Sequence, residues 1–308
     1  MQSASPPPIY AFSPYGLANR LLGLASTLYV CDALRRPLVL IWEQNECIGN
    51  ANFNELFENE FTIISRKPSD IPILRGDREL TADSFPVDTP IILDCHDVCK
   101  FPGLNDPALR SGLQTLRLVP SILNRVAEFT ASHDIANFIG IHIRQGDKWR
   151  AFRSRHYSSM ALRAKVESQY DVAFQEIIQR TDANIYLSCD DPAAWRKYKR
   201  LYRDRVHCAP KTRNPLQRDG DSIAEALLDL YLLSRTRFML YGIGTFGYAA
   251  HILGGSLGRN ILYSKEDFFI LFRTLLSIPS DSFPDVRDII ESASADSSCS
   301  TAVKPSPT

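Results

Sequence analysis

The sequence predicts an α/β protein built as two Rossmann-like domains facing a cleft. Three observations carry that expectation. Short apolar runs alternate with amphipathic stretches along most of the chain, which makes βαβ units and parallel sheets. A break near residues 119–137 divides the alternation into two blocks. Polar and glycine residues bunch just after the apolar runs, where open α/β sheets bind ligands.

The elements follow in order. Residues 1–8, with Pro6 to Pro8, read as a disordered lead-in. PIYAF (8–12) is a buried strand, and residues 19–36 form a helix on the spacing of Leu21, Leu24, Ala25, Leu28, Cys31 and Leu34. PLVLIW (37–42) and PIILD (90–94) are strands, and 120–132 is a helix opened by proline. In the second block the strands are 138–144, 184–190, 206–210, 238–242 and 260–264. Helices fall at 159–180, 192–203, 221–235 and 245–253, with an amphipathic stretch at 265–277. The domains are therefore 9–133 and 134–290. The polar, Pro-containing residues 291–308 are a disordered tail, too poor in apolar groups to offset ordering entropy.

Composition narrows the function. The 308 residues hold 35 Lys+Arg against 35 Asp+Glu, so no bulk charge favours nucleic acid or an anionic membrane. No apolar run approaches the ~18 residues of a membrane span. No signal peptide and no Asn-x-Ser/Thr sequon are visible. Seven scattered cysteines fit a reducing compartment. The expected location is cytoplasmic for the chain as given, or a secretory-pathway lumen if an upstream anchor has been removed.

Four loops could carry chemistry. SPYGLANR (13–20) offers Gly16 for a turn and Asn19-Arg20 at a helix start, where N–H groups attract anions. The plainer alternative is a βα turn capped by Asn19. IGIHIRQGDKW (139–149) places His142 and Arg144 on one strand face at its carboxyl end, with Asp147 and Lys148 beyond. Arg144 is a permanent fork suited to a diphosphate, while His142 reads as a core histidine. Asp190 and Asp191 could bind a hydroxyl or act as a base, or Asp191 could cap the helix starting at Pro192. Gly242, Gly244 and Gly247 complete a G-x-G-x-x-G whose backbone N–H groups, with the Thr245 hydroxyl, can cradle phosphate. With Glu266 past the next strand, the same pattern suits an NAD(P)-binding oxidoreductase. No P-loop, G-x-S-x-G or H-E-x-x-H is present, and Cys95, His96 and Cys99 lack a second pair at zinc spacing.

Taken together, these segments resemble the fucosyltransferase superfamily. Four features stand in its order: GLANRLLGLASTLYVCDALRRPLVLIW, IGIHIRQGDKW, IYLSCDDP and DLYLLSRTRFMLYGIGTFGYAAHILGG. The resemblance implies a GT-B-like fold, an acceptor-side first domain and a second domain that binds a GDP-sugar. It also implies inverting chemistry with GDP-fucose as donor, a glycan or protein hydroxyl as acceptor, and no metal or other cofactor. By position, Arg144 holds the departing diphosphate, Asp229 the guanine edge, and Thr245, with Gly244 and Phe246 beside it, the phosphate. Gly16, Asn19, Arg20, His142, Asp190 and Asp191 complete the donor site. Asp147, Lys148 and Glu46 join Arg144 as catalytic candidates, Asp147 and Glu46 as possible bases. Gln145 and Gly244 depart from the pattern of α1,6 enzymes, which have a second arginine and a serine there. A different class, a catalytically inactive nucleotide- or glycan-binding relative, fits the same residues.

Overall fold

The computed structural model describes residues 5–144, 159–212, 219–242, 244–255 and 257–260. The first block holds β1 (Ile9–Phe12), α1 (Leu17–Leu34), β2 (Leu38–Ile41), β3 (Thr62–Ile64), β4 (Ile73–Arg75), β5 (Ile91–Asp94) and α2 (Asp106–Gln114). The helix α3 (Pro120–Ser132) leads into β6 (Ile139–Ile143), α4 (Ser159–Arg180), β7 (Ile185–Cys189) and α5 (Pro192–Tyr202). Then come β8 (Val206–His207), α6 (Gly220–Leu233), β9 (Phe238–Tyr241), α7 (Thr245–Gly254) and β10 (Leu257–Asn260).

These strands form two parallel sheets, ordered β3-β2-β1-β5-β4 and β10-β9-β6-β7-β8. In each sheet the order reverses once beside its first strand, between β1 and β5 and between β6 and β9. Crevices open outside the carboxyl ends at such switch points, so the topology already marks where ligands belong. The strands β6 and β7 are buried at every position, as strands covered on both faces must be.

Three elements escape the sequence pattern. Strands β3 and β4 are three residues each, too short for alternation to register. The helix α2 is capped by Asn105, whose side chain accepts the Ala108 N–H at 3.0 Å, with Pro107 in the first turn. The last described strand, β10, spans Leu257–Asn260; residues 261–308, including Glu266, the 265–277 stretch and the tail, lie outside the described residues. Of the lead-in, Pro7 and Pro8 are held: Arg36 donates to both carbonyls at 2.7 and 3.3 Å, and to those of Pro86 and Thr89.

The helix α1 begins at Leu17 and is apolar on nearly every side because it packs against β1, β2, α2 and α7. Its buried Ser26 and Thr27 hydroxyls donate back to the Leu22 and Gly23 carbonyls, so neither is left unsatisfied. Leu21 and Leu22 of α1, Leu109 of α2, Val126 of α3, Leu227 of α6 and Ala249 of α7 join one continuous core. The two sheets thus share a helical layer rather than meeting across solvent.

Candidate active site

A cleft of about 590 Å³ runs along the junction of the two halves. Its walls come from the two switch points: Tyr15, Gly16 and Asn19 after β1, His96 and Asp97 after β5, Arg144 after β6, and Gly244, Thr245 and Phe246 after β9. Two helix N-termini converge here. Gly16 stands at the start of α1 in extended conformation, and Gly244 at the start of α7 with φ 131°, a backbone state that favours glycine. Gly247 lets α7 press onto β9, since any side chain there would collide with Tyr241. Partial positive charge from both helices adds to Arg144.

Asn19 joins the halves. Its Nδ2 donates to the His96 carbonyl at 2.7 Å, and its Oδ1 accepts the Thr245 hydroxyl at 2.8 Å. It lies inside the first turn of α1 and does not cap the helix. Thr245, expected at the phosphate, lines the cleft, and its hydroxyl donates to Asn19 across the junction.

At the β6 end, Arg144 pairs with Asp190 at 3.7 Å, and both line the cleft. The His142 ring is buried and stacks on Phe246 with centroids 4.8 Å apart. Asp229, 2% exposed, forms the cleft floor. It accepts from the Tyr186 hydroxyl at 2.7 Å, the Ser188 hydroxyl at 3.0 Å and the Lys211 ammonium at 2.8 Å. Burial alone would depress Lys211, but the Asp229 charge and hydrogen bond outweigh it and hold the ammonium above its ordinary value. Lys211 also donates to the Cys189 carbonyl.

Several expected site residues lie elsewhere. Arg20, 3% exposed, sits beneath the cleft, donating Nε to the Tyr15 carbonyl and lying 4.8 Å over the Trp42 ring. Burial lowers it to about 10, partly offset by Cys47 and Glu43. Its work is to hold the 13–16 loop, because helix packing turns its side chain inward. Asp191 caps α5, accepting the Ala193 N–H at 2.8 Å, and is absent from the cleft wall. Glu46 is exposed on the Asn45–Gly49 turn, where Cys47 and not Glu46 reaches the wall. Asp147 and Lys148 lie outside the described residues. Tyr15, His96, Asp97, Ser188, Lys211, Glu225 and Tyr248 line the cleft without having been singled out as ligand groups. Only position after β1 or β5 could have marked the first three. Among the described residues, no three His, Cys, Asp or Glu side chains gather as metal ligands, and no helix is long and apolar enough to cross a membrane.

No protein-family model matches the chain, and no curated protein matches it in sequence. Solved structures do match. The fucosyltransferase NodZ from Bradyrhizobium superposes with a TM-score of 0.58 at 17% identity, over 82% of this chain and 93% of that one. A mutant of Arabidopsis thaliana FUT1 in complex with GDP gives 0.52 at 14%, over 84% and 70%. POFUT1 in its apo form gives 0.50 at 11%, over 84% and 99%. The fold is that of the solved fucosyltransferases. Within this GT-B-like fucosyltransferase fold, the cleft described above is the crevice between the two Rossmann-like halves.

Proposed function

We propose that the chain is an inverting glycosyltransferase that takes fucose from GDP-fucose and passes it to a hydroxyl of a glycan or protein. The observation that carries this reading is the meeting of two switch points on one cleft, with Arg144 and two helix N-termini around a site for a diphosphate. Solved NodZ has been soaked with GDP-fucose, which supports the choice of donor.

In the proposed reaction the acceptor oxygen bonds to C1 of the sugar as the C1–O bond to GDP breaks. The β-phosphate gains negative charge as it departs, and Arg144 with the α1 and α7 amide groups stabilises that charge more than in the ground state. These groups do the neutralising that a metal ion does elsewhere. Asp229, held by Tyr186, Ser188 and Lys211, faces the guanine edge from the floor. Tyr15, His96 and Asp97 face the acceptor from the opposite wall. The acceptor proton goes to Asp147, three residues beyond Arg144; Asp97 is the second candidate because it stands on the wall. Comparing Asp147→Asn with Asp97→Asn identifies the base, as only its loss should collapse turnover.

Thermal unfolding with GDP, GDP-fucose, GDP-mannose, UDP-sugars and NAD tests the donor. A ligand at 100 times its Kd stabilises the native state by ~2.7 kcal/mol. GDP and GDP-fucose should raise Tm, and Arg144→Ala should erase most of the shift. A shift with NAD and none with GDP would transfer the case to an oxidoreductase. Silence from every nucleotide would favour the inactive relative.

A further inference from the structure

The chain is neutral overall, yet one helix and the turn after it concentrate positive charge. Over residues 192–205 there are six basic residues (Arg196, Lys197, Lys199, Arg200, Arg203 and Arg205) and one acidic residue, Asp204. Lys197 is paired with Asp171, and Arg205 donates to the carbonyls of Thr181 and Ala183. Among the described residues, Arg196, Arg200 and Arg203 have no carboxylate within ion-pair reach and are exposed. Arg196 and Arg200 stand one turn apart on α5, a spacing at which like charges oppose helix formation. The helix dipole accounts for cations in the last turn, at Lys199 and Arg200, but not for Arg196.

Beside these charges the indole of Trp195 is 37% exposed. Its N–H donates to Cys208 Sγ, which fixes the ring plane against the body of the protein. Trp195, Arg196, Lys197, Lys199 and Arg200 line an open groove of about 580 Å³. The apolar side chains Ala194 and Tyr198 point into the core, so α5 has no continuous apolar face to sink into a lipid layer. A rigid aromatic plane flanked by guanidinium forks suits a pyranose ring bearing a carboxylate or sulfate: the indole covers the ring face and the forks take the anion.

We propose that the α5 groove binds an anionic glycan through Trp195, Arg196 and Arg200. Its position suggests how that would serve the cleft. The helix α5 starts directly after Asp190, which lines the cleft, and rises about 1.5 Å per residue away from it. A glycan whose end lies in the cleft can therefore continue along α5, making the acceptor an acidic one. That use rests on the glycosyltransferase reading; binding itself does not.

The test is direct titration of the full chain with polygalacturonate and with its fully methyl-esterified form, which keeps the rings and removes the charge. Phosphatidylserine vesicles and a single-stranded oligonucleotide serve as rival anions. Binding of the charged polymer alone, weakening with salt, is expected. Trp195→Ala should weaken it several-fold, and Arg196→Ala with Arg200→Ala by ~10-fold or more, the scale for two solvent-exposed ion pairs. An unchanged circular dichroism spectrum shows that α5 still folds in these variants. Equal binding of acid and ester, equal binding of vesicles or oligonucleotide, or wild-type affinity in the variants would each overturn the proposal. A GDP-dependent thermal shift reports on the donor cleft separately, so loss of glycan binding with that shift intact overturns this inference alone.

Discussion

The two walls of the cleft are built from the same topology and lined with different chemistry. The first sheet contributes Tyr15, Gly16, Asn19, His96 and Asp97, mostly neutral groups and backbone. The second contributes Arg144, Asp190, Lys211, Glu225 and Asp229, most of them engaged in ion pairs or hydrogen bonds. The Glu225 carboxylate, for example, accepts from both the N–H and the hydroxyl of Thr212. A switch point therefore specifies where a ligand sits, and the residues hung on it decide which part of the ligand. In the proposed reaction the charged wall takes the diphosphate at Arg144, and the neutral wall takes the incoming hydroxyl.

That division can be broken most severely on the charged wall. Arg144→Ala should lower turnover by at least ~100-fold, the scale for removing one preorganised stabilising group. Turnover within a few-fold of wild type would end the role assigned to Arg144. Next in size is Lys211→Met, which strands the buried Asp229 carboxylate. With Lys211 itself 21% exposed, a loss of about 3 kcal/mol by urea denaturation is expected, the low end for breaking a buried pair.

Arg36→Ala provides the contrast within the first half. It removes four hydrogen bonds to carbonyls and should cost roughly 3 kcal/mol while leaving GDP affinity unchanged. A change in GDP affinity would mean that the first half shapes the donor site after all. Thr245→Val sharpens the link between the walls. If its hydroxyl serves Asn19, GDP affinity should fall by only ~5-fold, the worth of a neutral hydrogen bond. A loss well above tenfold by calorimetry would return the hydroxyl to the phosphate.

The smallest effect concerns pH. Burial, followed by the charges of His133 and Lys199, pushes His207 below its ordinary value of 6.5. The unfolded chain then binds more protons than the native one, so stability rises with pH in this window. The contribution is present above the ordinary value and is lost as pH falls through the lowered native one. The urea midpoint should drop from about pH 7 to about pH 5, and less so in His207→Gln.

Much of this was legible from the chain itself. Apolar runs such as IGIHI and IYLSC are buried on both faces, and such runs announce a parallel strand without any tertiary information. Arg144 and Asp190 could be placed because each directly follows such a run, and Gly244 because it falls in the glycine pattern just beyond one. Strands β3 and β4 were illegible because three residues leave no period to read, and their pairing partners lie elsewhere in the chain. Lys211 was missed for another reason: it directly follows the strand read at 206–210, but a lone lysine there carries no sign of its partner, and only folding brings it to Asp229. Arg20 and Asp191 show the converse. Their neighbours in sequence suggested ligand contact, but one side chain is turned beneath the cleft and the other is consumed by a helix start. Residue type and position along the chain cannot distinguish a side chain that faces a ligand from one that holds up the wall.

The helical layer shared by the two sheets has a mechanical consequence. Because α1, α2 and α7 pack into one core, and Asn19 ties α1 to both the His96 loop and α7, the jaws of the cleft have no greased joint between them. Parting them would tear close-packed apolar contacts, so the gap behaves as a calliper locked at one setting. What fits is decided by that span.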